Sequence, residues 1–144
     1  MSLMANPNDP ILLNNLVYSY AISGELNKEN KYLKRFMEID FNKLPLNSRI
    51  TVQATYGLVA IRTGEIEMGK KIYQIAIQNA SKLNNIYLKN LALVHYTREL
   101  IYLNDNDKNA FLDKVKAMEM GTEHPDLTFI RNEVLSMAEK DEGT

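Results

Sequence analysis

The chain has 144 residues, 45% hydrophobic and 24% charged, which allows one compact domain or one short repeat array and argues against a multidomain enzyme. Seventeen Lys and Arg against 18 Asp and Glu leave a net charge of −1, so no global field draws it to nucleic acid or anionic lipid. The absence of cysteine excludes disulfides, thiolate zinc sites and a cysteine nucleophile together, while six Gly and four Pro are few for a turn-rich barrel or sandwich.

Residues 1–8 are polar, with no basic start leading into an apolar stretch, and read as a disordered or vector-derived N-terminus without an export signal. No apolar run approaches the roughly 18 residues of a membrane span. Cytoplasm is therefore the expected compartment. Asp9-Pro10 opens the first helix, since the carboxylate accepts from orphan amides and Pro tolerates the first helical position. Further helices are predicted over about 26–39, 48–63, 65–82, 86–103, 107–119 and 125–139. Residues 9–140 form the single expected domain, and 141–144 are expected to fray.

Three segments align at an offset of 40 residues. Gly24-Glu25-Leu26, Gly64-Glu65-Ile66 and Asn104-Asp105-Asn106 each follow an apolar-periodic stretch, and Gly or Asn suits a left-handed helix end. Upstream, Leu13, Leu16, Val17 and Tyr20 recur as Gln53, Tyr56, Gly57 and Ala60, then as Leu93, Tyr96, Thr97 and Leu100. Downstream, Tyr32, Leu33, Phe36 and Met37 recur as Ile72, Tyr73, Ala76 and Ile77, whereas the third copy is read from Phe111, Val115 and Met118. Leu127, Ile130, Val134 and Met137 put one apolar stripe on the last helix, as suits a cap closing a stack. The expected fold is all-α: a right-handed α-solenoid of three helical hairpins plus a C-terminal capping helix, about seven helices.

These residues resemble a tetratricopeptide repeat protein. The resemblance rests on Asn15-Leu16, Tyr20, Gly24, Phe36 and Asp40 in the first copy, and on Gly57, Gly64, Tyr73 and Ala76 in the second. The chain departs where the family has a first-helix tryptophan, here Leu13, Gln53 or Leu93, and where it has a small second-helix residue, here Glu29 in the first copy. The proline that closes each repeat is absent, and the period of 40 exceeds the family's roughly 34. The resemblance implies a partner groove lined by the first helix of each hairpin. Transferred by position, it comprises Asn14, Tyr18 and Ile22, then Ala54, Leu58 and Arg62, then Val94, Arg98 and Tyr102. Their i, i+4, i+8 spacing would bring them onto one surface of a stack. Only Arg98 suits the family's basic clamp for a peptide carboxylate; Asn14, Tyr18, Leu58 and Val94 do not, so clamp-type chaperone binding is not expected.

Other chemistry is thin. His95 and Glu99 share a helical face, but two such groups are too few for a metal site, and no His-Glu-x-x-His set or phosphate-binding Gly-rich loop is present. Asp105-x-Asp107-x-Asn109 begins like a calcium loop, yet Ala110 and Lys116 stand where its Gly and bidentate Glu belong. Lys28, Lys31, Lys34 and Arg35 cluster on the second helix, a pattern that usually marks a solvated face. Met37, Met68, Met118 and Met137 read as core filler. The expectation is a non-catalytic scaffold without metal or cofactor that binds a partner protein or peptide, with no nucleic acid and no membrane. The alternative is a homo-oligomerisation or regulatory module of a larger protein, acting as a homodimer.

Overall fold

Short polar side chains set where the helices begin. In this computed structural model, which describes residues 9–119 and 124–142, α1 (Pro10–Ile22) starts where Asp9 accepts from the amides of Ile11 and Leu12, at 2.9 and 3.3 Å. Helix α2 (Lys31–Met37) is shorter than the 26–39 expected. Asn27 accepts from the Glu29 amide at 2.9 Å and so closes a local turn, and Asn30 then caps the amides of Tyr32 and Leu33 at 2.9 and 3.1 Å. These bonds reset the helix start beyond the turn. A single 3₁₀ turn, Phe41–Lys43, follows.

The remaining elements are α3 (Leu46–Arg62), α4 (Ile66–Lys82), α5 (Ile86–Leu103), α6 (Lys108–Lys116) and α7 (Pro125–Glu142). Seven α-helices and no strand lie among the described residues, so the chain is all-α, as expected. The segment 1–8, taken in the sequence as disordered or vector-derived, and the last residues of the expected C-terminal fray lie outside the described residues.

Four of the helix ends share one device. Gly24, Gly64, Asn84 and Asn104 have φ of 77°, 97°, 55° and 52°, all left-handed. After each, the next amide reaches back to close the last turn: Glu25 to Tyr20, Glu65 to Ala60, Asn85 to Ala80 and Asp105 to Leu100, at 2.8–3.0 Å. This is the Schellman arrangement, in which backbone donors satisfy the orphan carbonyls of the helix end. Three of these four positions were marked by the aligned turns, and Asn84 adds one at the close of α4.

The chain divides into two compact units after Ala76. In the first, α1 packs on α2 and α3, around a core of Leu13, Val17, Leu33, Phe36, Leu44, Val52 and Val59. Leu16 and Tyr20, read in the sequence as part of the same apolar face, are only partly covered. Phe36 meets Tyr56 with ring centroids 4.6 Å apart, and the Tyr56 hydroxyl donates to the Phe36 carbonyl at 3.0 Å. In the second unit, α5 packs on α6 and α7, and its core joins Leu93, Val94, Leu112, Val115, Leu127, Val134 and Ala138. The stripe expected on the last helix thus turns inward, with Leu127 and Val134 buried and Ile130 and Met137 at its margin. Arg131 donates to the carbonyls of Val115 and Lys116, both at 3.2 Å, and so fixes α7 to the end of α6.

Candidate protein-interaction surfaces

Two glycines let two helices of the first unit approach closely. A Cβ at Gly69 would stand 2.5 Å from Ile61 Cγ1 and 2.7 Å from the Gly57 carbonyl oxygen, and one at Gly57 would stand 2.9 Å from the Tyr73 ring. Helices α3 and α4 therefore cross at backbone contact, with Tyr73 and Ala76 buried beside them. Gly69 supplies, in the second hairpin, the small second-helix residue that the first copy lacks at Glu29. This crossing fixes which side chains of α3 and α4 reach the surface.

The expected partner groove is only partly a surface. Tyr18, Ile22, Ala54 and Arg62 are half-buried on α1 and α3, and Tyr102 on α5 is 59% exposed. Asn14, Leu58, Val94 and Arg98 are buried instead. Leu58 and Val94 have no exposed area at all, which makes them packing residues. Asn14 and Arg98 are covered although their residue types are usually found outside.

Arg98 belongs to a polar group inside the second unit. Its Nε lies 3.5 Å from Glu99 Oε2, with the two side chains 5% and 1% exposed, and its Nη2 donates to His95 Nδ1 at 3.2 Å. Burial, and next the Arg98 guanidinium, push the His95 pKa down to about 3, so the ring is neutral at pH 7. Arg98 thus stands between the histidine and the glutamate that the sequence put on one face. An imidazole held this far below neutrality is a weak base, which leaves the group ill suited to proton transfer. Arg98→Glu, a natural probe of a groove arginine, would instead set two buried carboxylates side by side.

At the start of α7, Tyr87 donates to Asp126 Oδ2 and stacks on His124 with centroids 3.9 Å apart. Burial first, then this bond and the carboxylate's charge, push the Tyr87 hydroxyl up to about 12; the same bond is the main cause holding Asp126 below its usual range. In the Asp105–Asn109 turn, Asp105 accepts from the Asp107 amide at 2.9 Å, so its carboxylate serves the start of α6. No group of three or more His, Cys, Asp or Glu able to hold a metal occurs among the described residues, and none of their helices is long and apolar enough to cross a membrane.

A concave site that the sequence did not single out lies in the first unit. It is a groove of about 440 Å³ between α2 and the start of α4. Leu33 and Met37 form one wall and Met68 and Ile72 the other, over a floor of Tyr56, Val59 and Ala60. Phe41 of the 3₁₀ turn also lines it, and Lys28 and Glu65 are its charged residues. Met37 and Met68, expected as core filler, are 58% and 54% exposed. The Thr63 hydroxyl is turned back to the Val59 carbonyl at 2.8 Å and the Tyr56 hydroxyl to Phe36, so backbone acceptors already engage the groove's hydroxyls. The one sequence signal for this groove is the asparagine pair that shortens α2; its walls come from segments that are distant in the chain.

The chain is 26% identical, over 156 aligned positions covering 96% of its length, to anaphase-promoting complex subunit CDC16 of Saccharomyces cerevisiae. It spans 18% of that protein. No protein-family model matches the chain, and no solved structure matches it significantly.

Proposed function

We propose, from the premise that the chain is a divergent tetratricopeptide-like repeat protein, that it is a non-catalytic scaffold holding a partner protein or peptide on the face of its hairpins' first helices. The observation that carries this reading is that α1 and α3 pack directly together while Tyr18, Ile22, Ala54 and Arg62 stay partly uncovered on them. Tyrosine and arginine are the residue types most often found to dominate binding energy, and here both sit on packed helices. A surface formed in advance leaves most of the ordering cost with the partner. Similarity to a subunit of a named complex supports protein partners over nucleic acid, membrane or cofactor. The buried members of the expected groove, Asn14, Leu58, Val94 and Arg98, act in this reading by holding the helices and not by touching the partner.

The test is affinity capture from source-organism lysate with wild type and Arg62→Glu, both of verified helicity and melting temperature. The expected result is a partner held by wild type and depleted about tenfold or more with the variant, the effect of losing roughly 1.4 kcal/mol or more of contact. Capture of further copies of the chain alone would replace the scaffold with the homo-oligomerisation module.

A further inference from the structure

We propose that Met37 and Met68 form a reversible oxidation site: a peroxide oxidises their thioethers ahead of the methionines of the second unit, and the α2–α4 groove turns from apolar to polar while the fold persists. The site requires no occupant of the groove and is independent of the face assigned to a partner above.

Composition limits where a two-electron oxidant can act. The chain contains no cysteine and no tryptophan, so no thiol competes and the thioethers are its groups most open to peroxide. Four methionines lie among the described residues, and they divide by position. Met37 on α2 and Met68 on α4 are 58% and 54% exposed and line the same groove from its two walls. Met118 and Met137 are half-buried, and Met118 packs against the core of the second unit. Exposure of the side chain sets the order of attack. The rest of the groove's apolar lining is aliphatic or aromatic and offers peroxide no sulfur.

The step balances without a catalytic group. A sulfur lone pair attacks one peroxide oxygen, and an S–O bond forms as the O–O bond breaks. A proton passes through solvent from the transferred oxygen to the departing hydroxide, giving sulfoxide and water. Sulfur loses two electrons and the peroxide gains them. The product is a polar side chain where a flexible apolar one stood. In a packed core the new oxygen would lack a donor and cost stability. At Met37 and Met68 exposure lets water supply that donor, and the Lys28 ammonium lines the same groove. Neither methionine belongs to the first unit's core cluster, so the helices keep their packing when both are oxidised.

The experiment treats the full chain with hydrogen peroxide and follows each methionine by peptide mass spectrometry. Met37 and Met68 are expected to oxidise about threefold or more faster than Met118 and Met137. An anilinonaphthalene sulfonate dye, which fluoresces on exposed apolar surface, reads the groove. Its signal is expected to fall about twofold or more once Met37 and Met68 are oxidised, with the urea midpoint nearly unchanged, and to return after treatment with the two epimer-specific sulfoxide reductases. Met37→Leu/Met68→Leu, which keeps the apolar volume, should hold its signal through the same treatment, whereas Met118→Leu/Met137→Leu should lose it as wild type does. Equal oxidation rates at the four positions would overturn the proposal, as would a wild-type chain that binds no dye or keeps its signal after Met37 and Met68 are oxidised. So would loss of the signal in Met37→Leu/Met68→Leu, which would place the dye elsewhere. A urea midpoint that collapses with oxidation of those two positions would overturn it too, by making them part of the packing.

Discussion

Gly57 and Gly69 decide how near two helices come, and no other residue type could stand at the second position without moving them. A methyl group at Gly69 meets backbone atoms, the Gly57 carbonyl oxygen at 2.7 Å and the Ile61 nitrogen at 2.9 Å, which cannot rotate away. Gly69→Ala should therefore destabilise the chain by about 1–3 kcal/mol or more, the cost of overpacking, despite alanine's better helix propensity. At Gly24 a methyl group meets nothing within 4 Å, and Gly24→Ala should cost only about 1–2 kcal/mol for the left-handed backbone. Urea midpoints of the two variants, with far-UV dichroism to confirm folding, check the order. At this scale the sequence shows Gly24, Gly57 and Gly64 through their recurrence, but it does not show the partnership of Gly57 with Gly69, because that contact is made across a hairpin. Arg98 is misread for a related reason. Arginine is usually solvated, and only the third dimension reveals that it lies between His95 and Glu99.

Elements were the most legible level, since helix ends are made by local chemistry. Helices α3, α4, α5 and α7 begin within a few residues of where caps and periodicity put them, and Gly or Asn closes the expected turns. Helix α2 departs because two side chains of Asn27 and Asn30 outcompete the helical bonds upstream of Lys31. With so few turns of its own, α2 depends on that cap more than its neighbours do. Asn30→Ala should lower stability by about 1 kcal/mol, and Asn30→Ser or Asn30→Asp should restore most of it. The check is a denaturant series on the three variants; an unchanged midpoint for alanine would mean that burial of Leu33 and Phe36 holds α2 without its cap.

For the whole molecule, acid is the condition that should expose the buried polar group. His95 has its pKa lowered from 6.5 to about 3 in the folded chain, so below pH 6.5 the unfolded chain binds the proton that the folded one refuses. Stability contributed by the neutral ring is thus present above about pH 6.5 and lost progressively as pH falls toward 3, at about 1.4 kcal/mol per unit. Between pH 7 and about pH 5, wild type should lose about 2 kcal/mol that His95→Asn, which keeps an acceptor for Arg98, does not. Urea unfolding of both chains at the two pH values measures the difference directly. The α2–α4 groove is also a property at this scale. Its apolar lining gathers Leu33, Tyr56 and Met68 from three separate helices, and a periodicity read along one segment at a time places each methionine in a core.

The four left-handed turns carry one further implication. Each is closed by backbone bonds and asks only that a single position accept a positive φ, which Gly meets at 24 and 64 and Asn at 84 and 104. The punctuation of the chain is therefore nearly independent of the words between the marks. Away from the Gly57–Gly69 crossing, side chains inside the helices are free to drift so long as burial is kept. Mutational tolerance in such a molecule should be distributed very unevenly, broad along most of each helix and narrow at these four positions and at the Gly57–Gly69 crossing. A lineage changing under that constraint would keep its architecture long after its residues had ceased to advertise it.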